Sequence, residues 1–149
     1  MHPYPHLYSA TAQGAASGPV ALMSAGLPTL ETAPPPEFDG PGGVWSPETL
    51  LIAAIADCFI LTFRGVARAA GLQWDKVTCD VEGTLERVAG VTQFTRYVTR
   101  ATLTVPPGAD VEKAHGLLER AEKVCLITNS LRGDRSLQCE VVFAPAREG

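Results

Sequence analysis

Three spacings of apolar residues succeed one another along the chain, and each predicts a different element. Over residues 1–44 short apolar stretches are interrupted by proline and glycine, and nine of the twelve prolines lie at or before Pro47. Leu7–Ala12 and Val20–Ser24 read as short strands, with Pro34-Pro35-Pro36 and Gly40-Pro41-Gly42-Gly43 as a connector that is stiff first and flexible after. From Trp45 the apolar pattern becomes nearly continuous. Ser46 can cap a helix, Pro47 suits its first position and Glu48 its first turn. The predicted helix runs to Ala70, with Gly71 placed to end it. Leu50, Leu51, Ile52, Ile55, Phe59, Ile60, Leu61, Phe63 and Val66 cover almost every side, which predicts a central core helix. Its later charges, Asp57, Arg64 and Arg68, are spaced seven and four apart. At about 100° per residue they form one narrow solvated stripe.

The period then shortens to two. Val77, Cys79, Val81 and Leu85 alternate with Thr78, Asp80, Glu82 and Glu86, a half-buried strand. Ala89-Gly90 marks a turn, and Thr92–Val105 returns with five threonines as the second arm of an antiparallel hairpin. Pro106-Pro107-Gly108 ends it. Asp110 can cap a second helix whose face is Val111, Ala114, Leu118, Ala121 and Cys125. Gly133 punctuates, and Leu137–Phe143 is a last strand. Strands, long helix, hairpin, helix and strand in that order predict an α+β fold, with helices against an antiparallel sheet.

A length of 149 residues suits one domain, 1–149, divided into N-terminal strands and connector (1–44) and a helix–hairpin–helix–strand body (45–149). Formal net charge is −4, so no overall basic footprint for nucleic acid exists. The longest apolar run, Leu50–Phe63, is broken by Asp57 and falls short of the ~18 residues of a membrane span. The N-terminus lacks the basic start and apolar stretch of a signal peptide, so a cytoplasmic chain is expected, in which four cysteines point to redox chemistry or core packing before a structural disulfide. Charge is unevenly spread: residues 1–63 hold five acids (Glu31, Glu37, Asp39, Glu48, Asp57) and no Lys or Arg.

Cys79 and Cys139 occupy inward positions of predicted strands among valines and read as small core hydrophobes. Cys58 lies mid-way along the long helix and Cys125 near the end of the second, and composition alone would place them in the core as well. No Cys-x-x-Cys occurs, and His2, His6 and His115 do not fall at zinc-ligand spacings. Gly-x-Ser-x-Gly, a P-loop and a dinucleotide fingerprint are absent.

Two segments give Cys58 and Cys125 a second meaning. Trp45-Ser46-Pro47-Glu48-Thr49-Leu50-Leu51, followed by Ala53-Ala54 and Ala56-Asp57-Cys58-Phe59, resembles the signature opening the central helix of the OsmC/Ohr family of organic hydroperoxide resistance proteins. Glu119–Leu131, in which Cys125 precedes Thr128-Asn129-Ser130-Leu131, resembles the family's second signature. The resemblance covers Trp45 to the C-terminus in element order. It implies thiol-dependent reduction of organic hydroperoxides, with Cys58 as attacking thiolate, Cys125 as resolving thiol and Glu48 as a site residue. It also implies an external dithiol reductant, such as a lipoyl-dependent system, and no metal or organic cofactor. On a straight helix Glu48 and Cys58 lie ~15 Å apart along the axis. A Glu48 that contributes to the site therefore comes from a partner chain, which predicts a two-fold homodimer with composite sites. The bland reading of Glu48 is a first-turn acid favoured by the helix dipole.

The chain departs from the family pattern at two places. The arginine that family peroxidases carry in the N-terminal strands is missing, and Leu126 follows Cys125 where the family usually has proline. A thiolate at Cys58 then requires another cation, for which Arg96 and Arg100, four apart on one strand face, are the candidates; otherwise they are a solvated face of the hairpin. Three functions are compatible with these residues: a thiol peroxidase, a thiol-based sensor of oxidants, or a small-molecule-binding dimer with inert cysteines.

Overall fold

The computed structural model describes residues 1–146, which form two compact units, Met1–Leu51 and Ile52 onward. In the first unit, β1 (Thr11–Gln13), β2 (Val20–Met23) and β3 (Leu30–Thr32) make a three-stranded antiparallel sheet. The first strand is shorter than Leu7–Ala12 and shifted later, and Leu30–Thr32 adds a strand that the sequence pattern did not suggest. Three residues between prolines are too few to show a period. Beyond β3 a single 3₁₀ turn at Pro36–Phe38 leads into Asp39, whose φ of 60° lies in the left-handed region. Gly40 follows, and a Cβ there would run into the Pro34 carbonyl, so the turn closes only on glycine.

The helix α1 (Pro47–Ala70) begins as its residues dictate. The Thr49 N–H donates to Ser46 Oγ at 3.1 Å, and the Ser46 N–H donates to Thr49 Oγ1 at 2.9 Å. This reciprocal pair satisfies two of the donors that a helix start leaves open. At the other end Gly71 takes φ 69°, with Gly71 N–H on the Arg68 carbonyl and Leu72 N–H on that of Ala67, a Schellman stop.

In the second unit the buried residues of α1, namely Ile55, Phe59, Phe63 and Ala67, recur every fourth position. Phe59, Phe63 and Ala67 pack with Ala101, Leu103 and Val105 of β5 (Val91–Val105) and with Ala114, Leu118 and Ala121 of α2 (Val111–Val124). The rest of α1 is less buried than an all-round apolar helix implies: Leu61 is 52% exposed, and Ile52, Ala56 and Ile60 are half-buried. Asp57, Arg64 and Arg68 are exposed, as the stripe predicts. By length and composition α1 could cross a membrane, the one such helix among the described residues, yet one of its faces is the centre of a protein core.

β4 (Lys76–Val88) pairs antiparallel with β5 through the turn at Ala89-Gly90, where both residues have positive φ, 50° and 81°. Such a turn matches the twist of the strands it joins. The last strand, β6 (Asp134–Phe143), begins three residues before Leu137 and pairs parallel with β5. The sheet of order β4-β5-β6 is therefore mixed, which corrects the antiparallel expectation. The reason is α2: a helical crossover returns the chain to the starting end of β5, so the next strand runs the same way. Across this sheet Cys79, Ala101 and Cys139 stand in one row.

Ala89 holds a left-handed conformation that costs an L-residue with a Cβ roughly 1–2 kcal/mol. Replacing it by asparagine, which tolerates this region, is expected to raise unfolding stability by about 0.5–1 kcal/mol in urea denaturation, with the m-value unchanged.

Candidate functional site

Cys125 is not the last residue of α2's apolar face but the joint after it. It caps the C-terminus of α2 and the N-terminus of α3 (Leu126–Asn129), with φ −62° and ψ 109°. The extended ψ breaks the helix, turns the thiol inward and leaves it 1% exposed. Thr128 Oγ1 donates to Cys125 Sγ at 3.3 Å. Arg135 on β6 fastens the joint from outside. Its Nε donates to Glu122 Oε1 at 2.6 Å, its Nη1 to Asn129 Oδ1 at 2.7 Å, and its Nη2 to the Glu122 carbonyl. Glu122 lies at the end of α2 and Asn129 at the end of α3, so one guanidinium spans the break.

Cys58 meets this joint from α1. Its sulfur lies 3.7 Å from Thr62 Oγ1, one turn on. Burial by itself raises the Cys58 thiol. Hydrogen bonds from the Ile127 backbone N–H, the Cys125 thiol, the Thr62 hydroxyl and the Leu126 backbone N–H outweigh it and hold the pKa below its ordinary value. For Cys125 burial wins: help from the Thr128 hydroxyl and N–H is insufficient, the neighbouring Cys58 adds to the rise, and the thiol is pushed up. The two interacting thiols titrate as a pair, and Cys58 loses its proton first. Both are free. Cys79 is pushed up to about 12 by burial and then by Asp80 and Cys125, and Cys139 is raised by burial and Glu119. Both strand cysteines stay protonated at neutral pH and pack against the core.

Of the residues singled out in the sequence, the structure thus brings Cys58 and Cys125 together. The expected cation is not among the groups that set the acidity of Cys58, and Arg96 and Arg100 are exposed on the hairpin. Neutral donors take that role, because α3 begins beside the sulfur with N–H groups that no helical carbonyl uses. Thr62 and Thr128 were readable as hydroxyls one turn after each cysteine. The two backbone donors were not, since every residue but proline carries one. Leu126 matters for that reason: a proline there would have no N–H to give.

Glu48 lies ten residues before Cys58 on the same helix. Its Oε2 is buried with no hydrogen-bond partner, and its side chain forms part of the wall of a cleft of about 470 Å³ in the first unit. Among the described residues no group of three or more His, Cys, Asp or Glu could hold a metal ion.

In sequence and in fold the chain matches known proteins. The profile of the OsmC-like protein family matches residues 40–140. The chain belongs to this family. A relative in Bacillus subtilis, the uncharacterized protein YmaD, is 31% identical over 109 residues, 71% of this chain and 73% of the relative. Among solved structures, an organic hydroperoxide resistance protein OsmC from Legionella pneumophila is 28% identical, with a TM-score of 0.74 over 94% of this chain and 99% of its own. An OsmC-like protein of unknown function from Vibrio cholerae, 18% identical, shares the fold with a TM-score of 0.81 over 93% of this chain and 100% of its own. Family membership and the hydroperoxide-resistance relative support a redox or peroxide-related role.

Leu126→Pro tests the neutral-donor account. Proline suits the first position of α3, Cys125 already has the extended ψ that must precede it, and the Leu126 side chain is 64% exposed, so the fold is kept. Losing one donor to the thiolate raises the Cys58 pKa. The pH at which alkylation of Cys58 accelerates is expected to move upward, and alkylation at neutral pH to slow severalfold, followed residue by residue in mass spectrometry.

Proposed function

We propose that the chain is a thiol-dependent peroxidase reducing organic hydroperoxides, with Cys58 as the attacking thiolate and Cys125 as the resolving thiol. The observation that carries this reading is the opposed acidity of two free, interacting thiols: one favours the thiolate, its neighbour stays protonated. The first suits a nucleophile, and the second leaves the peroxide to its neighbour. The Legionella pneumophila relative supports the substrate class.

The Cys58 sulfur attacks the outer peroxide oxygen and gives up an electron pair; the O–O bond breaks. The inner oxygen leaves as alkoxide and takes a proton to become an alcohol, while Cys58 becomes a sulfenic acid. The Leu126 and Ile127 N–H groups hold the starting thiolate. Cys125 then attacks the Cys58 sulfur as it loses its proton, and the sulfenic oxygen leaves as water, giving a Cys58–Cys125 disulfide. An external dithiol, of lipoyl type for example, returns two electrons and two protons in a reducing cytoplasm. The cycle needs no metal or organic cofactor. Apolar surroundings suit fatty or aromatic hydroperoxides better than hydrogen peroxide.

The reading includes a two-fold homodimer. The half-buried and exposed apolar residues of α1, among them Ile52, Ala56, Ile60 and Leu61, are the face a second copy covers. Antiparallel packing of two such helices brings each Glu48 toward the partner's Cys58, which supports a composite site. Sedimentation is expected to show a dimer at micromolar concentration; a stable monomer would remove both the dimer and the role of Glu48 at Cys58.

The activity itself is tested by thiol titration. One equivalent of cumene hydroperoxide is expected to consume two thiols rapidly and leave a disulfide. Cys58→Ser should fall to the background rate, and Cys125→Ser should stop at a sulfenic acid trapped by dimedone. A slow reaction ending in sulfenate in the unaltered chain would assign a thiol sensor instead. No reaction would leave a binding protein with inert cysteines.

A further inference from the structure

Each unit exposes a feature that the lone chain leaves unbalanced in charge. In the first unit Pro36–Phe38 is a tight turn, tied by the Phe38, Asp39 and Gly40 N–H groups to the Pro35 and Pro36 carbonyls. It presents Glu37, Phe38 and Asp39 to solvent, with Phe38 52% exposed. No lysine or arginine occurs before Arg64, so these acids have no such side chain within their own unit. In the second unit a cleft of about 390 Å³ is lined by Arg64 and Arg68 of α1 and by Leu72, Gln73 and Trp74 after it. Like charges one turn apart on a helix repel. The one ion pair among the described residues joins Arg135 to Glu122, so neither guanidinium of the cleft is balanced by a carboxylate there. The Trp74 ring is held in the cleft wall by an edge-on contact with Phe63, the centroids 5.3 Å apart. A turn that reads acid, aromatic, acid thus has its complement in a cleft of two cations and an aromatic wall.

We propose that these two features meet between copies of the chain: the turn of one docks in the cleft of the other. Phe38 enters between the partner's Leu72 and the partner's Trp74, while Glu37 and Asp39 pair with the partner's Arg64 and the partner's Arg68. This contact presupposes the two-fold dimer proposed above and sets its register. At about 390 Å³ the cleft has room for a phenyl ring. The antiparallel packing that brings each Glu48 toward the partner's Cys58 also lays the last turns of α1 beside whatever precedes the partner's helix. The turn at Pro36–Phe38 stands at that place, since Phe38 shares a wall of the first unit's cleft with Pro47 and Leu50. Two-fold symmetry makes the contact twice, once at each end of the helix pair. An aromatic centre rimmed by charge pairs is a usual composition for such a contact. Opposite charges at both ends select one alignment of the helices over its alternatives.

Charge reversal on each side tests the contact in the full chain. One variant carries Arg64→Glu with Arg68→Glu, the other Glu37→Lys with Asp39→Lys. All four positions are exposed, so both chains keep their fold, which circular dichroism checks. Either variant alone sets like charges against each other at both ends, whereas a mixed dimer restores both contacts. Each alone is expected to raise the dimer dissociation constant at least about tenfold in sedimentation equilibrium. An equimolar mixture is expected to give roughly nine-tenths mixed dimers in native mass spectrometry. Phe38→Ala leaves every charge in place and should weaken the dimer even at about 1 M salt, where the ion pairs are screened. Unchanged dissociation constants in the charge variants, with mixed dimers at the random share of about half, would overturn the contact and leave the dimer standing. A Phe38→Ala dimer as tight as the unaltered one would overturn it as well. A monomeric unaltered chain would remove the dimer reading and this contact with it.

Discussion

The break in the helix at Cys125 is the constraint on which the chemistry of this chain depends. Had α2 continued, its ladder would have consumed the N–H groups of Leu126 and Ile127, and the Cys125 thiol would have stayed on the helix surface. A single extended ψ removes both obstacles. The sulfur turns into the core, and two donors are released toward Cys58. Neutral N–H groups thereby do work for which a guanidinium was expected. They do so with little conformational loss, because the backbone is fixed by the fold while a long side chain has to be ordered. The break itself is secured from the sheet, where Arg135 grips the end of α2 and the end of α3 together. Thiol acidity in this chain is therefore a property of backbone placement, held by a side chain that touches neither sulfur.

What could be read from the residues alone follows the range over which each determinant acts. The start of α1 at Ser46, its stop at Gly71, the cap of α2 at Asp110 and the turn at Ala89-Gly90 all depend on neighbours within five positions, and all are found where the pattern places them. The direction of β6 depends on the geometry of a crossover, and the alternation of Leu137, Cys139 and Val141 is the same for either direction. Leu30–Thr32 is too short to announce itself. At the site, the cysteines were legible because their chemistry is carried by the side chain. The Leu126 and Ile127 donors were hidden because theirs is carried by the main chain. The partial burial of α1 has another cause: composition reports that a face is apolar, not which molecule covers it.

The parallel pairing of β5 and β6 has a consequence for the order in which the chain assembles. β4 and β5 meet through a two-residue turn, so their pairing closes the smallest possible loop. β6 can join β5 only after the 28 residues between Val105 and Asp134 have formed the crossover. Local pairings form before distant ones, since loop closure must be met first. Until β6 docks, Arg135 has no hold on the α2–α3 joint that sets Cys125 beside Cys58. The pairing of the two thiols is thus completed at the end of folding. An emerging chain carries four ordinary thiols, and the pair of divided acidity is complete only in a molecule whose sheet is already closed.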